Sequence, residues 1–238
     1  MEEIQLIYKD ENFLIINKPA GLLMHGIAGI HKLPSGAGKT LVDWLLENYS
    51  EVRAVGDDPV TRPGIVHRLD KETSGVLVIP RNQETFNYLK ELFQKHLVRK
   101  TYLALVKGKL KEAGGIIDKP IGIKSGSTKR SIHSSKMQKE AVTEYQVLKV
   151  LKLAGEEFSL LEVMPKTGRT HQIRVHLASI GHPIAGDRLY GGKRSQVSGL
   201  SRQFLHAKSI EFTVPSGERM RFEAELPKDL GSLLGSAL

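Results

Sequence analysis

Cysteine is absent from this sequence of 238 residues, which excludes a disulfide framework and any chemistry that needs a thiolate. Long apolar runs are absent as well, since no stretch approaches the roughly 20 residues of a membrane-spanning helix. Residues 1–5 lack the basic and then apolar pattern of a secretion signal. We therefore expect a cytoplasmic protein, and the missing cysteine is compatible with a reducing compartment.

The composition is typical of a globular protein and favours an anionic partner. Hydrophobic residues make up 40% of the chain and aromatic residues 6%, and a core of this size needs no disulfide or metal. The formal net charge is +9. Such an excess favours a polyanion, through phosphate neutralisation and counterion release. A solvated basic surface would carry the same charge, so charge alone leaves both interpretations open.

Apolar patterning predicts a chain dominated by strands. Alternating residues predict a hairpin over residues 4–17. Further strands are predicted at 76–79, 102–106, 143–150, 158–163 and 209–214. These strands follow one another without the regular helical crossovers of parallel sheets, so we expect the α+β class with a mixed, mainly antiparallel sheet.

Helices and loops are expected between these strands. Helical spacing predicts one helix over 41–49, a second after Asn82 as its N-terminal cap, and a third over 170–180. Thr167 or Thr170 would cap the third helix, and Gly181 would end it. Loops are predicted at 28–40, at 50–64, where Pro-Gly suits a type II turn, and at 124–139, a basic stretch able to contact phosphates.

Charged residues cluster in residues 64–75, directly before the apolar strand at 76–79. Asp70 lies between Arg68 and Lys71, and neighbouring positive charges favour an ionised carboxylate. In a cleft, such a carboxylate can act as a nucleophile or an electrostatic stabiliser. Ion-pair networks that only order a loop are also common. The residue types alone leave both roles open.

Residues 67–75, His-Arg-Leu-Asp-Lys-Glu-Thr-Ser-Gly, resemble the catalytic motif of RluA-type pseudouridine synthases. The other motifs of that family have counterparts in the expected order. They are residues 17–21, 100–104, 167–177, 181–187 and 205–207. Together these stretches extend over most of the chain, which makes a chance resemblance untenable.

The resemblance implies an isomerase that converts specific uridines of structured RNA, ribosomal or transfer RNA, to pseudouridine. It implies the pseudouridine synthase fold, with the sheet flanked by helices and loops around a central RNA-binding cleft. We expect a single catalytic domain over residues 1–238, acting as a monomer. Many relatives begin with a small S4 RNA-binding domain, and none is expected in this chain. Because the reaction is an isomerisation, no cofactor, nucleotide or metal is needed.

By the same resemblance, Asp70, Tyr102 and Arg174 are catalytic. Asp70 would attack uridine at either C6 of the base or C1′ of the ribose, which the sequence leaves open. Arg174 would pair with Asp70 and keep it ionised and oriented. Tyr102 would stack on the uracil, and its hydroxyl is a weaker candidate for taking the C5 proton. Without the motif, the preferred interpretation of Arg174 is a surface arginine on an amphipathic helix, and Tyr102 suits a core strand with its hydroxyl hydrogen-bonded.

RNA contacts are implied for Arg68, His67, Lys71, Arg169 and Leu205. Arg68 would enter the space that the flipped uridine vacates and stack on neighbouring bases, or alternatively clamp a phosphate. His67 and Lys71 would face phosphates or support the loop, and Arg169 belongs to the same RNA-contacting set. Leu205 would line the uracil pocket, although a plain core leucine is the simpler interpretation.

Other motifs in the sequence do not carry chemistry. Residues 35–40 resemble the end of a P-loop, but Leu33 stands where the pattern requires glycine and no buried strand precedes it. His171 and His176 are five positions apart, rather than the four of a helical zinc pair. No Rossmann glycine pattern follows a strand. We therefore expect neither a metal nor a nucleotide cofactor.

Two alternative functions stay open at this point. A glycosidase or nucleosidase would use Asp70 with a second carboxylate such as Glu72 across the scissile bond, and would release free uracil. A non-catalytic RNA-binding or ribosome-assembly protein would bind RNA without isomerising it. The co-occurrence of Asp70, Tyr102 and Arg174 argues against the second alternative.

Overall fold

The computed structural model of the protein describes residues 3–26, 39–124 and 129–235. Most of the predicted loop at 28–40, including most of its P-loop-like stretch, lies outside the described residues. Residues 125–128 of the predicted basic loop lie outside them as well. Within the described ranges, no helix is long and apolar enough to cross a membrane.

Strands outnumber helices in the described residues. In chain order, the strands are β1 Gln5–Lys9, β2 Phe13–Lys18, β3 Ser74–Pro80, β4 Arg99–Lys107, β5 Gly114–Asp118, β6 Gly122–Ile123, β7 Arg130–Ser131, β8 Val142–Leu153, β9 Glu156–Pro165, β10 Leu205–Thr213 and β11 Arg219–Glu223. The α-helices are α1 Leu41–Asn48, α2 Gln83–Gln94, α3 Gln172–Ser179 and α4 Lys228–Gly235. Short 3-10 helices lie at Ser50–Ala54 and Gly192–Ser195.

The chain divides into two compact units. The first comprises Met1–Val98 and Ser209–Glu225, and the second Arg99–Lys208 and Leu226–Leu238. Antiparallel pairings join β1 to β2, β2 to β3 and β10 to β11, and likewise β4 to β9, β9 to β8, β8 to β5 and β6 to β7. This confirms the predicted α+β class with a mainly antiparallel sheet. That one catalytic domain spans residues 1–238 stays a prediction.

In the first unit, the predicted hairpin forms from β1 and β2, and β2 also pairs with β3. The turn between β1 and β2 forms because the Asp10 carboxylate accepts the backbone N–H groups of Asn12 and Phe13, both at 2.8 Å. All seven residues of β3 are buried, as its continuous apolar sequence requires. Aromatic rings from several strands pack together there, namely Tyr8, Phe13, Phe212 and Phe222.

Both helices of the first unit begin at side-chain caps. The Asn82 carboxamide oxygen accepts the backbone N–H of Thr85 at 2.8 Å, which confirms the predicted cap of α2. Thr40 and Asp43 form a capping box at α1, in which each side chain accepts the other's backbone N–H. Thr40 ends the P-loop-like stretch, and its structural role is therefore to start a helix.

In the second unit, β9 lies between β4 and β8, and β5 extends this sheet beyond β8. The apolar faces of these strands bury a core together with α3 and α4. Its centre includes Leu105, Phe158, Leu161, Leu177 and Phe204, each at most 1% exposed. The predicted strands at 102–106, 143–150 and 158–163 are confirmed, each extending beyond the predicted bounds.

The N-terminus of α3 differs from the prediction. Neither Thr167 nor Thr170 caps it; His171 precedes the helix in the left-handed conformation, with φ 57° and no side-chain cap. The Thr167 hydroxyl instead donates to the Gln172 carboxamide at 2.7 Å. The end of the helix is as predicted, because Gly181 adopts the positive φ of a C-terminal glycine, 86°.

The elements β5, β11 and α4 were not predicted. β5 begins with two glycines and β11 alternates charged with apolar residues over only five positions, while α4 contains two glycines. Each is short and weak in local propensity, so tertiary packing decides its conformation.

Candidate active site

The predicted site residues divide between the two units. His67, Arg68, Asp70 and Lys71 lie in the segment that leads into β3, in the first unit. Tyr102 lies on β4, Arg169 before α3, Arg174 on α3 and Leu205 at the start of β10, all in the second unit. The pairing of Arg174 with Asp70 therefore stays a prediction.

The segment around Asp70 is a tight turn with a well-anchored backbone. The backbone N–H of Thr73 donates to the Asp70 carbonyl at 3.1 Å, and the N–H of Gly21 donates to the Lys71 carbonyl at 2.9 Å. Gly21 makes this approach with a positive φ of 83°, a conformation that costs glycine little. The motif at residues 17–21 thus holds the backbone next to Asp70.

Lys18 reinforces this anchor from inside the first unit. Its side chain is fully buried, with an exposed fraction of 0%. Its ammonium group donates to the carbonyls of Pro19 at 2.8 Å, Leu22 at 3.0 Å and Lys71 at 3.1 Å. A buried charge needs such a set of acceptors to replace its hydration. Lys18 therefore ties the residue after Asp70 to the chain that follows β2.

His67 connects the same segment to β3 and α2. The backbone N–H of Val78 donates to Nε2 of His67 at 3.0 Å. The ring stacks on Phe93 with centroids 4.6 Å apart. An Nε2 that accepts a hydrogen bond carries no proton, so this bond selects the tautomer protonated at Nδ1. These contacts favour the loop-supporting role of His67 over a phosphate contact.

Exposure within the segment varies from residue to residue. Arg68 and Lys71 are exposed, Asp70 is half-buried, and Leu69 between them is buried. The buried Leu69 anchors the chain while its charged neighbours stay accessible to a ligand. An accessible carboxylate on a fixed backbone between cations is suited to nucleophilic or electrostatic chemistry on an anionic polymer.

In the second unit, Arg174 forms a buried bidentate ion pair with Asp187. Nε lies 2.7 Å from Oδ2 and Nη2 lies 3.0 Å from Oδ1. The Asp187 side chain is 0% exposed and that of Arg174 is 9% exposed. Oδ1 also accepts the backbone N–H groups of Leu189 at 2.9 Å and Tyr190 at 3.1 Å. The carboxylate is itself fixed by the backbone, so it fixes the guanidinium plane.

Tyr190 contacts both Arg174 and the residue before α3. The Arg174 guanidinium lies 5.1 Å from the centre of the Tyr190 ring, within the range of a cation–π interaction. The Tyr190 hydroxyl and Nδ1 of His171 share a hydrogen bond of 2.8 Å. The backbone N–H of Arg130 donates to the same hydroxyl at 3.0 Å.

Polar contacts hold α3 against β8. The Gln172 carboxamide donates to the Val142 carbonyl and to the Thr143 hydroxyl, both at 3.0 Å. Nδ1 of His176 lies 2.9 Å from the Thr143 hydroxyl and Nε2 lies 2.9 Å from the Lys119 carbonyl. Burial lowers the pKa of His176 below its ordinary value. His176 is therefore a neutral structural residue of this helix.

Tyr102 and its neighbours on β4 flank the core of the second unit. Tyr102 is half-buried and packs against the cluster that contains Leu205, which is 4% exposed. Leu205 is thus a buried member of this core, and its role in lining the uracil pocket stays a prediction. The Lys100 ammonium lies 3.4 Å from the Thr167 carbonyl, and desolvation by the surrounding protein lowers its pKa to about 8.

Basic residues beside α3 form a surface that we name the basic strip, residues 129–140. Lys136 and Lys139 are exposed, and no carboxylate pairs with either among the residues that the structure describes. Arg169 adjoins the strip, since its Nε donates to the Glu140 carbonyl at 2.9 Å. Uncompensated cations on one surface suit a polyanion.

Comparison with known proteins decides the family. A model of the RNA pseudouridylate synthase family matches residues 12–179 of the chain. The chain belongs to this family. RNA pseudouridine synthases are isomerases that act on RNA, which confirms the enzyme class and the RluA-type resemblance of the motifs. The match includes Asp70, Tyr102 and Arg174 and ends before Asp187.

Relatives within the family come from several bacteria. The chain is 44% identical over 237 residues to an RNA pseudouridine synthase of Aquifex aeolicus, covering 97% of this chain and 72% of the relative. It is 38% identical over 235 residues to ribosomal large subunit pseudouridine synthase D of Zymomonas mobilis, covering 95% and 70%. The chain thus spans about 70% of the length of these relatives.

A solved structure confirms the pseudouridine synthase fold. Human RNA pseudouridylate synthase domain containing 1 superposes with a TM-score of 0.74 at 27% identity, over 95% of this chain and 84% of that one. The human domain-containing protein 4 gives a TM-score of 0.73 at 26% identity, over 97% of this chain and 92% of that one.

Sequence reasoning did not assign roles to Lys18, Asp187 and Tyr190. The available signal for Lys18 was a lysine at the end of β2, two positions after its apolar run 13–16. Asp187 and Tyr190 lie in a loop whose sequence shows no periodicity. Asp187 is 13 positions away from its partner Arg174 along the chain. Only the folded chain reveals such a pair.

Proposed function

We propose that this enzyme isomerises specific uridines of large-subunit ribosomal RNA to pseudouridine, with Asp70 as the nucleophile. The substrate class follows the relatives that are named ribosomal large subunit pseudouridine synthase D, at 38% identity. The observation that carries the mechanism is the anchoring of the Asp70 turn. Lys18 and Gly21 hold the carbonyl of the next residue, Lys71, at 3.1 Å and 2.9 Å, which supports the proposal because it fixes the backbone beside the half-buried carboxylate.

Arg68 prepares the substrate in this proposal. A uridine inside a stem is reached only after it leaves its stack. The exposed guanidinium of Arg68 enters the vacated space, where its flat surface stacks on the neighbouring bases. Lys71, Arg169 and the basic strip bind phosphates. Each phosphate contact releases counterions, so RNA affinity should decrease steeply as salt increases.

Catalysis then breaks one bond and forms another. Asp70 forms a bond to the uridine, the bond between N1 and C1′ breaks, the uracil rotates, C5 bonds to C1′, and the bond to Asp70 breaks to regenerate the free carboxylate. The C5 proton leaves and N1 gains a proton, so the product is an isomer of the substrate. We propose that Arg174, aligned by Asp187, is the ion-pair partner of Asp70. Tyr102 stacks on the uracil and keeps it from diffusing while it is detached.

The test uses a large-subunit ribosomal RNA transcript with tritium at C5 of uridine. Wild-type enzyme should release tritium to water, because C5 exchanges its hydrogen for a bond to C1′. Asp70→Asn should release none and still bind the RNA in a filter assay. Tyr102→Phe should keep RNA binding; full turnover by this variant would limit Tyr102 to stacking.

Glu72→Gln is the matched control, because Glu72 is a half-buried carboxylate two positions from Asp70. It should release tritium as the wild type does. A two-carboxylate glycosidase would instead lose activity in both variants and produce free uracil, which chromatography of the reaction would detect. Tritium release by Asp70→Asn would contradict the nucleophile assignment.

A further inference from the structure

Tyr190 lies where separate parts of the second unit meet. Its hydroxyl accepts the backbone N–H of Arg130 at 3.0 Å and shares a hydrogen bond of 2.8 Å with Nδ1 of His171. The Arg174 guanidinium lies over its ring at 5.1 Å. One side chain therefore contacts the start of the basic strip, the residue before α3 and the catalytic candidate on α3.

The basic strip depends on a small number of backbone contacts. It pairs with the preceding chain through Ile121 and Lys139, which exchange N–H bonds at 2.9 and 3.0 Å, and through the β6–β7 ladder. At the other end of the strip, the backbone N–H of Arg130 donates to the Tyr190 hydroxyl. Ile132 and the Tyr190 ring both pack on the apolar cluster that includes Val175 of α3. Tyr190 thus joins the strip to the helix that carries Arg174.

The bond between Tyr190 and His171 has a second consequence. His171 holds a positive φ of 57°, which is uncommon for a residue other than glycine. A hydrogen bond from its ring to a fixed hydroxyl stabilises that conformation and with it the first turn of α3. Arg174 lies in this first turn, so the orientation of its backbone follows from the same contact.

We propose that Tyr190 is a positioning residue that couples RNA binding by the basic strip to the orientation of Arg174. The inference rests on the proposed function. When phosphates bind Lys136 and Lys139, they fix the conformation of the strip. The Tyr190 hydroxyl, which is bonded to both the strip and His171, then stabilises the conformation of His171 and the start of α3. The ring supports the guanidinium. The hydroxyl therefore acts on RNA binding through the strip and on the start of α3 through His171, and the ring acts directly on the Arg174 guanidinium.

Two substitutions separate these roles. Tyr190→Phe keeps the ring and removes the hydroxyl, so KM for the RNA should increase and kcat should decrease, each by about five-fold, the change expected for one or two lost hydrogen bonds. Tyr190→Leu also removes the ring, so kcat should decrease about ten-fold in addition. A side chain with only a folding role would change the active fraction and leave KM unaltered.

A double-variant comparison tests the coupling itself. Replacing Lys136 and Lys139 by alanine should increase KM in the wild type by removing phosphate contacts. In the Tyr190→Phe background the same replacement should increase KM less, because the strip is no longer held in place. Fully additive effects would overturn the proposal.

Tyr88→Phe is the matched control, since it also removes one hydroxyl, which donates to the Thr213 carbonyl at 2.9 Å in the first unit. It should lower the Tm as Tyr190→Phe does and leave KM unchanged. A wild-type KM in Tyr190→Phe would overturn the positioning role alone. Absence of tritium release by the wild type would overturn the proposed function, and this inference with it.

Discussion

Replacing Asp187 by asparagine tests how the second unit prepares Arg174. The amide keeps the shape of the carboxylate but removes its charge, and it turns one accepting oxygen into a donor that faces the Arg174 N–H groups. Arg174 would then lose its ion pair with Asp187 at a position where its side chain is only 9% exposed. Removing one partner of a buried pair costs about 3–5 kcal/mol.

We expect the lower end of that range, about 3 kcal/mol, because the remaining carbonyl oxygen can still accept a backbone N–H. For a chain of this size, 1 kcal/mol corresponds to about 2–4 °C in Tm. The Tm of Asp187→Asn should therefore decrease by about 6–12 °C. Loss of guanidinium alignment should also lower kcat for tritium release, by about a hundred-fold if the group moves by about 1 Å.

The control is Asp229→Asn, which breaks an ion pair of the same geometry. Arg202 contacts Asp229 with Nε to Oδ2 at 2.7 Å and Nη2 to Oδ1 at 3.0 Å, but the Asp229 side chain is 43% exposed. The Arg202 side chain is itself only 6% exposed, but it also donates to the Gln203 carbonyl and water can reach the exposed position of the lost carboxylate, so the cost should be about 1 kcal/mol. Equal decreases in Tm for the two variants, or an unaltered kcat in Asp187→Asn, would refute the reasoning.

Three further predictions concern stability, each read out as a Tm by circular dichroism. Burial lowers the pKa of His176, so the folded protein keeps this ring neutral at pH values where the unfolded chain, with a pKa of about 6.5, binds a proton. The Tm should therefore decrease as the pH drops below about 6.5, and His176→Gln should make the Tm depend less on pH. Gly186 has a φ of +77°, and Gly186→Ala would place a methyl group against the Arg202 carbonyl, whereas Gly192, with a φ of +57°, has open space around it. Gly186→Ala should therefore lower the free energy of unfolding by at least about 2 kcal/mol more than Gly192→Ala, and equal Tm values would argue against the clash. Asn82→Ala should cost about 1 kcal/mol through loss of the α2 cap and Asn82→Ser almost nothing; a similar decrease in both would show that the cap bond is not the cause.

Local sequence signals predicted the elements whose conformation depends on neighbouring residues. The alternation around the Asp10 turn predicted the β1–β2 hairpin, Asn82 predicted the start of α2, and Gly181 predicted the end of α3. These signals work because turn and cap hydrogen bonds connect residues only two to four positions apart. The cap of α3 was predicted wrongly, because Thr167 bonds to Gln172 and a left-handed His171 begins the helix.

The motif around Asp70, together with the other motifs in order along the chain, indicated the family, since their residue types and order can be recognised without any knowledge of the fold. What the sequence could not provide is the support of that motif. Lys18 reaches the Lys71 carbonyl across 53 positions, and no local pattern marks such a contact.

The sequence by itself determined the reaction class, the candidate nucleophile and the antiparallel strands, because these depend on residue identity and short-range periodicity. Only the tertiary structure decided which groups hold the candidates: Lys18 and His67 around the Asp70 turn, and Asp187 and Tyr190 around Arg174. Burial gives these contacts their strength, because a charge or a ring nitrogen removed from water must find its partner within the fold. Burial is a property of the packed chain, and a linear pattern of residues does not contain it.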